Sequence, residues 1–224
     1  WGDAAAEHVS WRKAPTRILD VPADAASDVT RWAHAKWFVD GELNITESCL
    51  DRHVKAGRGN VTAVAYDSPV TGVKTKLTYA QLLDQVETFA AVLRAQGVRM
   101  GDRVVIYMPM IPEAVVAMLA CARVGACHSV VFGGFAPREL AVRVDDATPK
   151  AIITASCGVE VTRVVEYAPI VKAMLEQIKM PTKPIVICKH RDPTSVRPDL
   201  PSRDVVKRSI PQAVDWDVAM SEAS

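Results

Sequence analysis

Hydrophobic positions along the chain switch between two periods. After Thr78, Leu82, Leu83, Val86, Phe89, Ala90 and Leu93 recur at helical spacing, with Thr78 placed to cap them and Gly97 to stop them. Residues 103–108, Arg103-Val104-Val105-Ile106-Tyr107-Met108, instead form an apolar, β-branched run between Gly101-Asp102 and Pro109, the pattern of a buried parallel strand. Pro112 and Glu113 then open an apolar helix through Val124, because proline suits the first helical turn and a carboxylate favours its positive end; Gly125 closes it. Further strands are expected at 127–131, 151–155 and 184–188, with helices beginning near Pro137 and spanning 166–178 between them. This alternation predicts an α/β fold: a mostly parallel sheet with helices on both faces.

The flanks are less regular. Residues 1–27 have no sustained period and read as an extended arm packed by Trp1 and Trp11 onto something larger. Trp32, Trp37 and Phe38 mark a partly helical aromatic patch, and residues 42–54 read as a loop into an amphipathic helix capped by Thr46. Residues 61–66 and 74–78 are the strands of a hairpin, placed at the edge of the sheet. Four prolines between His190 and Gln212 suggest an exposed, weakly ordered excursion, and one more short helix starts near Ala213. The expected organisation is an arm at 1–27, an α/β subdomain at 28–190, and the excursion with the start of a further segment at 191–224, where the chain is truncated.

Charge narrows the possible partners. With 27 basic and 26 acidic side chains in 224 residues the formal net charge is +1, which gives no basis for non-specific attraction to nucleic acid or to an anionic membrane. No apolar run reaches the length of a membrane span. Five cysteines, at 49, 121, 127, 157 and 188, form no C-x-x-C pair; reduced, buried structural thiols in a reducing compartment are expected, and zinc is not. The chain begins at Trp1 rather than Met, so an earlier segment is expected and a targeting peptide is not visible.

Candidate chemistry lies in the loops after the second and third strands of the alternation. Phe132-Gly133-Gly134-Phe135 joins a strand end to a helix start, where glycines let backbone approach a ligand and free N–H groups attract anions; a tight turn is the plainer reading. Ser156-Cys157-Gly158-Val159-Glu160-Val161-Thr162-Arg163 is a small-residue loop carrying one arginine. Such strand-end loops are where open α/β sheets bind ligands. The dinucleotide fingerprint, the phosphate loop with its lysine, metal-ligand spacings and the hydrolase elbow are all absent, which disfavours a nicotinamide-dependent oxidoreductase. His128 reads as a hydrogen-bonded core histidine, and adjacent Cys127 and His128 point to opposite faces of a strand, so they are not a catalytic pair.

Three stretches carry a resemblance. They are Val105-Ile106-Tyr107-Met108-Pro109-Met110-Ile111-Pro112-Glu113-Ala114, the run from Leu119 through Arg123-Val124-Gly125-Ala126-Cys127-His128 to Phe135, and Thr154-Ala155-Ser156-Cys157-Gly158-Val159-Glu160. In this order they resemble the N-terminal part of the short-chain acyl-CoA synthetases of the adenylate-forming superfamily, densely over residues 28–190; Asp67-Ser68-Pro69-Val70-Thr71 together with Ala155-Ser156-Cys157-Gly158-Val159-Glu160 is more similar to the propionyl-CoA than to the acetyl-CoA branch. The resemblance implies the N-terminal subdomain of the adenylate-forming fold, and a reaction in which a short carboxylate and ATP give an acyl-adenylate that CoA then cleaves. It places Phe132, Gly133, Gly134, Glu160, Val161, Thr162 and Arg163 against the nucleotide end of CoA. No catalytic residue is assigned. The ATP and Mg sites are expected beyond this sequence, so the fragment alone is expected to be inactive. Partners would be acetate or propionate, ATP and CoA, with a homo-oligomer compatible and a cytoplasmic or mitochondrial-matrix location. One departure stands out: acetyl-CoA synthetases carry arginine where Glu160 stands, and a carboxylate there would repel a phosphate unless it points away. A non-catalytic CoA-binding or assembly module with the same fold is the alternative.

Overall fold

A computed structural model describes residues 1–23 and 29–223. The chain divides into two compact units, residues 1–58 and 59–224. The boundary expected at residues 27 and 28 lies outside the described residues.

In the first unit the stretch expected as an extended arm carries a short helix and two short strands, each paired with a later strand. A short helix α1 (Gly2–His8) leads into β1 (Trp11–Lys13) and β2 (Arg17–Asp20), which pair antiparallel with β4 (Glu42–Leu43) and β3 (Lys36–Val39) respectively. The tryptophans pack within this unit: Trp11 lies against Phe38, with ring centroids 5.5 Å apart, and Trp1 meets Trp37 edge-on at 6.3 Å. Paired strands this short escape a periodicity search, because three residues hold barely one alternation. Residues 45–58 form a helix widened by π turns at Glu47–Asp51 and Val54–Arg58 and broken by Gly57 at φ 74°. Its cap is Asn44, whose Oδ1 accepts from Thr46 N at 3.0 Å and Thr46 Oγ1 at 2.7 Å; Thr46 itself is already helical, which corrects the expected cap by two residues.

The second unit begins with the hairpin β5 (Thr62–Ser68) and β6 (Val73–Thr78), which forms a two-stranded sheet of its own rather than an edge of the larger one. Thr78 then starts α2 (Tyr79–Ala95) with a reciprocal capping box to Gln81. The alternation follows as β7 (Arg103–Tyr107), α3 (Pro112–Val124), β8 (Cys127–Val130), α4 (Pro137–Ala147) and β9 (Ala151–Ala155). After β9 comes a second hairpin, β10 (Cys157–Glu160) with β11 (Arg163–Glu166), where sequence analysis placed a loop. The chain continues through α5 (Tyr167–Gln177), β12 (Ile185–Lys189), α6 (Arg203–Ser209), β13 (Val214–Asp215) and α7 (Trp216–Ala223).

Among the described residues one five-stranded parallel sheet runs in the order β13-β12-β9-β7-β8. Alternate side chains bury on opposite faces. Val105, Tyr107, Ile152, Val186 and Cys188 pack with α4 and α5 through Leu140, Val144, Val171 and Met174, whereas Val104, Ile106, Ile153 and Ile187 are buried on the opposite face. There α2 packs on α3 and α7, with Phe89 stacked on Trp216 at 3.7 Å. An ion-pair network closes the carboxyl end of β12: Lys189 Nζ lies 2.6 Å from Asp217 and 3.6 Å from Glu113, and Arg203 pairs with Asp215 and Asp217.

Three expectations are corrected here. All four residues of β8, at the edge of the sheet, are exposed, so His128 is a surface residue and Cys127 is not buried. Cys49 is exposed as well, leaving Cys121, Cys157 and Cys188 as the buried thiols, with Cys121 and Cys188 pushed up to about 12 by burial. The stretch after β12 is also not wholly exposed, since His190, Leu200 and Ile210 are buried, α6 lies within it and β13 extends the sheet.

Candidate functional site

Strand order reverses at β7: the chain leaves through α3 to β8 on one side and returns through α4 to β9 on the other. The two crossovers lie on opposite faces, which opens a crevice beyond the carboxyl ends of these strands, the usual ligand position in open α/β sheets. The cleft there encloses about 550 Å³ and is lined by Tyr66 of β5, Met108 to Ile111 after β7, Phe132 to Gly134 after β8, Val159 and Glu160 of β10, Tyr167 and Arg191.

Its floor rests on two tyrosines and two glycines, of which Tyr167 and Gly133 line the cleft and Tyr107 and Gly158 pack against them. The Tyr107 hydroxyl lies 3.0 Å from the Gly133 carbonyl and 2.9 Å from that of Phe135, so its single proton is shared between two acceptors that pin the glycine loop. Tyr167 packs against Tyr107 with centroids 4.8 Å apart. Its ring passes between Gly133 and Gly158: a Cβ on Gly133 would sit 2.2 Å from the Tyr167 hydroxyl oxygen, and one on Gly158 would sit 2.4 Å from it. Both glycines are therefore demanded by packing, before any ligand is considered. Gly134 is less constrained, since a Cβ there would meet the end of the exposed Phe132 ring at 2.6 Å.

The opposite wall is the β10–β11 hairpin. Glu160 and Arg163 face each other across its tip and pair at 3.1 Å, Arg163 Nη2 donating to Glu160 Oε2. Val161 in the turn is 85% exposed and held at φ 54°, a conformation that costs a β-branched residue energy and normally belongs to glycine. The turn is braced from behind. Arg197 Nη2 donates to the Thr162 carbonyl at 3.2 Å while its guanidinium grips both oxygens of Asp199 at 2.8 and 2.7 Å. Arg191 Nη1 donates to the Cys157 carbonyl at 3.2 Å and its backbone N–H to Ser156 Oγ at 3.0 Å.

These groups suit binding better than bond-making. Burial, with Glu160 nearby, pushes the Tyr167 hydroxyl up to about 12, and the same causes with Tyr167 raise Tyr107, so both stay protonated near neutrality and serve as hydrogen-bonding groups rather than bases. Met110, Val130 and Phe132 leave apolar surface on the lining, at 81%, 56% and 71% exposure. Among the described residues no cluster of three or more His, Cys, Asp or Glu could hold a metal ion, and no helix is long and apolar enough to cross a membrane.

Of the residues singled out from sequence, Phe132, Gly133, Gly134 and Glu160 line the cleft. Val161, Thr162 and Arg163 stand at the hairpin tip beyond the lining, joined to it through Glu160. The carboxylate that would oppose an anion is thus the partner of the arginine that would attract one. Arg191, Tyr66 and Tyr167 were not foreseen. Arg191 was discoverable, because it follows a parallel strand's carboxyl end as the other two loops do; Tyr167 offered no periodic signal beyond membership of a helix.

Comparison with known proteins identifies the family. Residues 50–220 match the model of the AMP-binding enzymes, and residues 1–49 match that of the acetyl-coenzyme A synthetase N-terminus. An uncharacterized protein of Pseudomonas aeruginosa is 48% identical over 94% of this chain and 33% of its own length. The mitochondrial acyl-CoA synthetase short-chain family member 3 of Bos taurus is 44% identical over 100% of the chain and 30% of its own length. Among solved structures, acetoacetyl-CoA synthetase from Streptomyces lividans superposes with a TM-score of 0.76 at 26% identity, over 98% of this chain and 30% of that one. The chain spans about a third of the length of the curated relatives it matches.

Proposed function

The chain belongs to the AMP-binding enzyme family, among short-chain acyl-CoA synthetases, and from that premise we propose that it supplies the CoA-facing wall of an enzyme that activates acetate or propionate. In this reading the carboxylate and ATP form an acyl-adenylate and pyrophosphate, and the thiol of CoA then displaces AMP. The observation that supports it is the meeting of the Phe132-Gly133-Gly134 loop with the Glu160–Arg163 hairpin end at one cleft beyond β7 and β8. Arg163, 75% exposed at its side chain, would exchange its Glu160 partner for a phosphate of the CoA nucleotide, a charge-assisted contact that a guanidinium makes in two-pronged fashion. The exposed apolar groups of Met110, Val130 and Phe132 would lie along the uncharged arm of the carrier. ATP and magnesium would be handled by residues outside this sequence, so the 224 residues alone would not catalyse adenylation.

Two measurements test the reading. In the full-length enzyme, Arg163→Ala should weaken CoA binding by about 1–3 kcal/mol in calorimetry and leave acyl-adenylate formation nearly unchanged; undiminished affinity removes the assignment. Acetate- or propionate-dependent ATP–pyrophosphate exchange by this polypeptide alone would place the adenylation chemistry within these 224 residues.

A further inference from the structure

Among the described residues, the charged side chains that line the cleft are Glu160 and Arg191. Glu160 is already paired with Arg163, which itself stands at the hairpin tip beyond the lining, so Arg191 is the cation that remains inside. It is held at both ends. Its backbone N–H donates to Ser156 Oγ at 3.0 Å, and its Nη1 donates to the Cys157 carbonyl at 3.2 Å. Among the described residues no carboxylate pairs with it, and its other guanidinium donors are unspent. The head of the side chain is directed to the cleft: it rests on the first residue of β10, and its charge opposes that of Glu160 at the hydroxyl of Tyr167, a lining residue. Arg191 also borders a smaller hollow of about 240 Å³, but there Lys189 is already matched by Asp217 and Glu113, and Asp192 adds a further carboxylate that repels anions. A half-buried guanidinium fixed in advance, with donors to spare, is a ready seat for an anion, because little ordering entropy is lost when the contact forms.

We propose that Arg191 holds the diphosphate of CoA, the anionic bridge between its nucleotide and its uncharged arm. This inference rests on the CoA reading of the cleft. The diphosphate is the anion next to that arm, and Arg191 is the cation that shares a lining with Met110, Val130 and Phe132, against which the arm would lie. Three ligands separate the phosphates: CoA, dephospho-CoA, which keeps the diphosphate but lacks the ribose phosphate, and pantetheine, which has neither. In calorimetry on the full-length enzyme, Arg191→Gln should weaken CoA and dephospho-CoA by the same factor, about tenfold, and leave pantetheine unchanged. Glutamine keeps a donor for the Cys157 carbonyl, and Arg191→Lys, which restores the charge, should recover part of the lost affinity. Unaltered dephospho-CoA affinity in Arg191→Gln, an equal loss for pantetheine, or no recovery in Arg191→Lys would each overturn the assignment. Failure of the underlying reading looks different: Arg163→Ala would then leave CoA affinity undiminished, whatever Arg191→Gln does.

Discussion

The two walls of the cleft are held by different forces. The floor, made by Tyr107, Tyr167, Gly133 and Gly158, is buried and fixed by shape: one ring fills the space that two absent side chains leave. The hairpin tip, from Glu160 to Arg163, is exposed and fixed by charge and by a brace from behind. Packing of the first kind tolerates almost no change in volume, whereas an exposed ion pair contributes little to stability and is easily exchanged for another partner. The first wall can therefore define where a ligand sits, and the second can respond to the ligand's charge.

The sharpest way to break this contrast is to add one methyl group. Gly158→Ala places a carbon 2.4 Å from the Tyr167 oxygen and 2.8 Å from its Cζ, so destabilisation of roughly 1–3 kcal/mol is expected in denaturant unfolding. Tyr167→Phe in the same background removes the closest atom and should recover part of the loss, giving a non-additive cycle. Full stability in Gly158→Ala would mean that the floor is not set by packing.

A smaller effect is expected from the brace. Arg197→Ala removes the donor to the Thr162 carbonyl and leaves the left-handed Val161 turn with only the Glu160–Arg163 pair across its tip. Amide exchange at the tip of the hairpin should quicken several-fold while that of β7 and β9 stays the same. Uniform acceleration across the unit would show instead that Arg197 supports the whole fold.

The parallel sheet was legible from residues such as Val104 to Ile106 because strands buried on both faces leave continuous apolar runs, and α2 was legible because Thr78 and Gly97 mark its ends. The β10–β11 hairpin was not. Its turn carries Val161 and Thr162 in place of glycine or asparagine, and it is held by Arg191 and Arg197, a contact made across more than thirty positions of sequence. His128 misled for a related reason: an apolar run beside a strand pattern does not say what covers each strand, and both faces of β8, at the edge of the sheet, are exposed. Packing requires Gly133 whether or not a ligand comes near, and a search for ligand access cannot see the tyrosine that passes behind it.

The finest test of the contrast concerns Glu160, where stability and binding should part company. Its pair with Arg163 has side chains 43% and 75% exposed, so Glu160→Gln should change unfolding free energy by less than about 1 kcal/mol. The same change removes a negative charge beside the arginine and frees the guanidinium from its partner. If the hairpin tip meets a phosphate, CoA should bind a few-fold more tightly to Glu160→Gln, and the gain should shrink as salt rises, because screening weakens the repulsion that the carboxylate exerts. Weaker binding at low salt would instead make Glu160 an orienting partner that holds Arg163 in its working position, and the two walls would then both act by positioning.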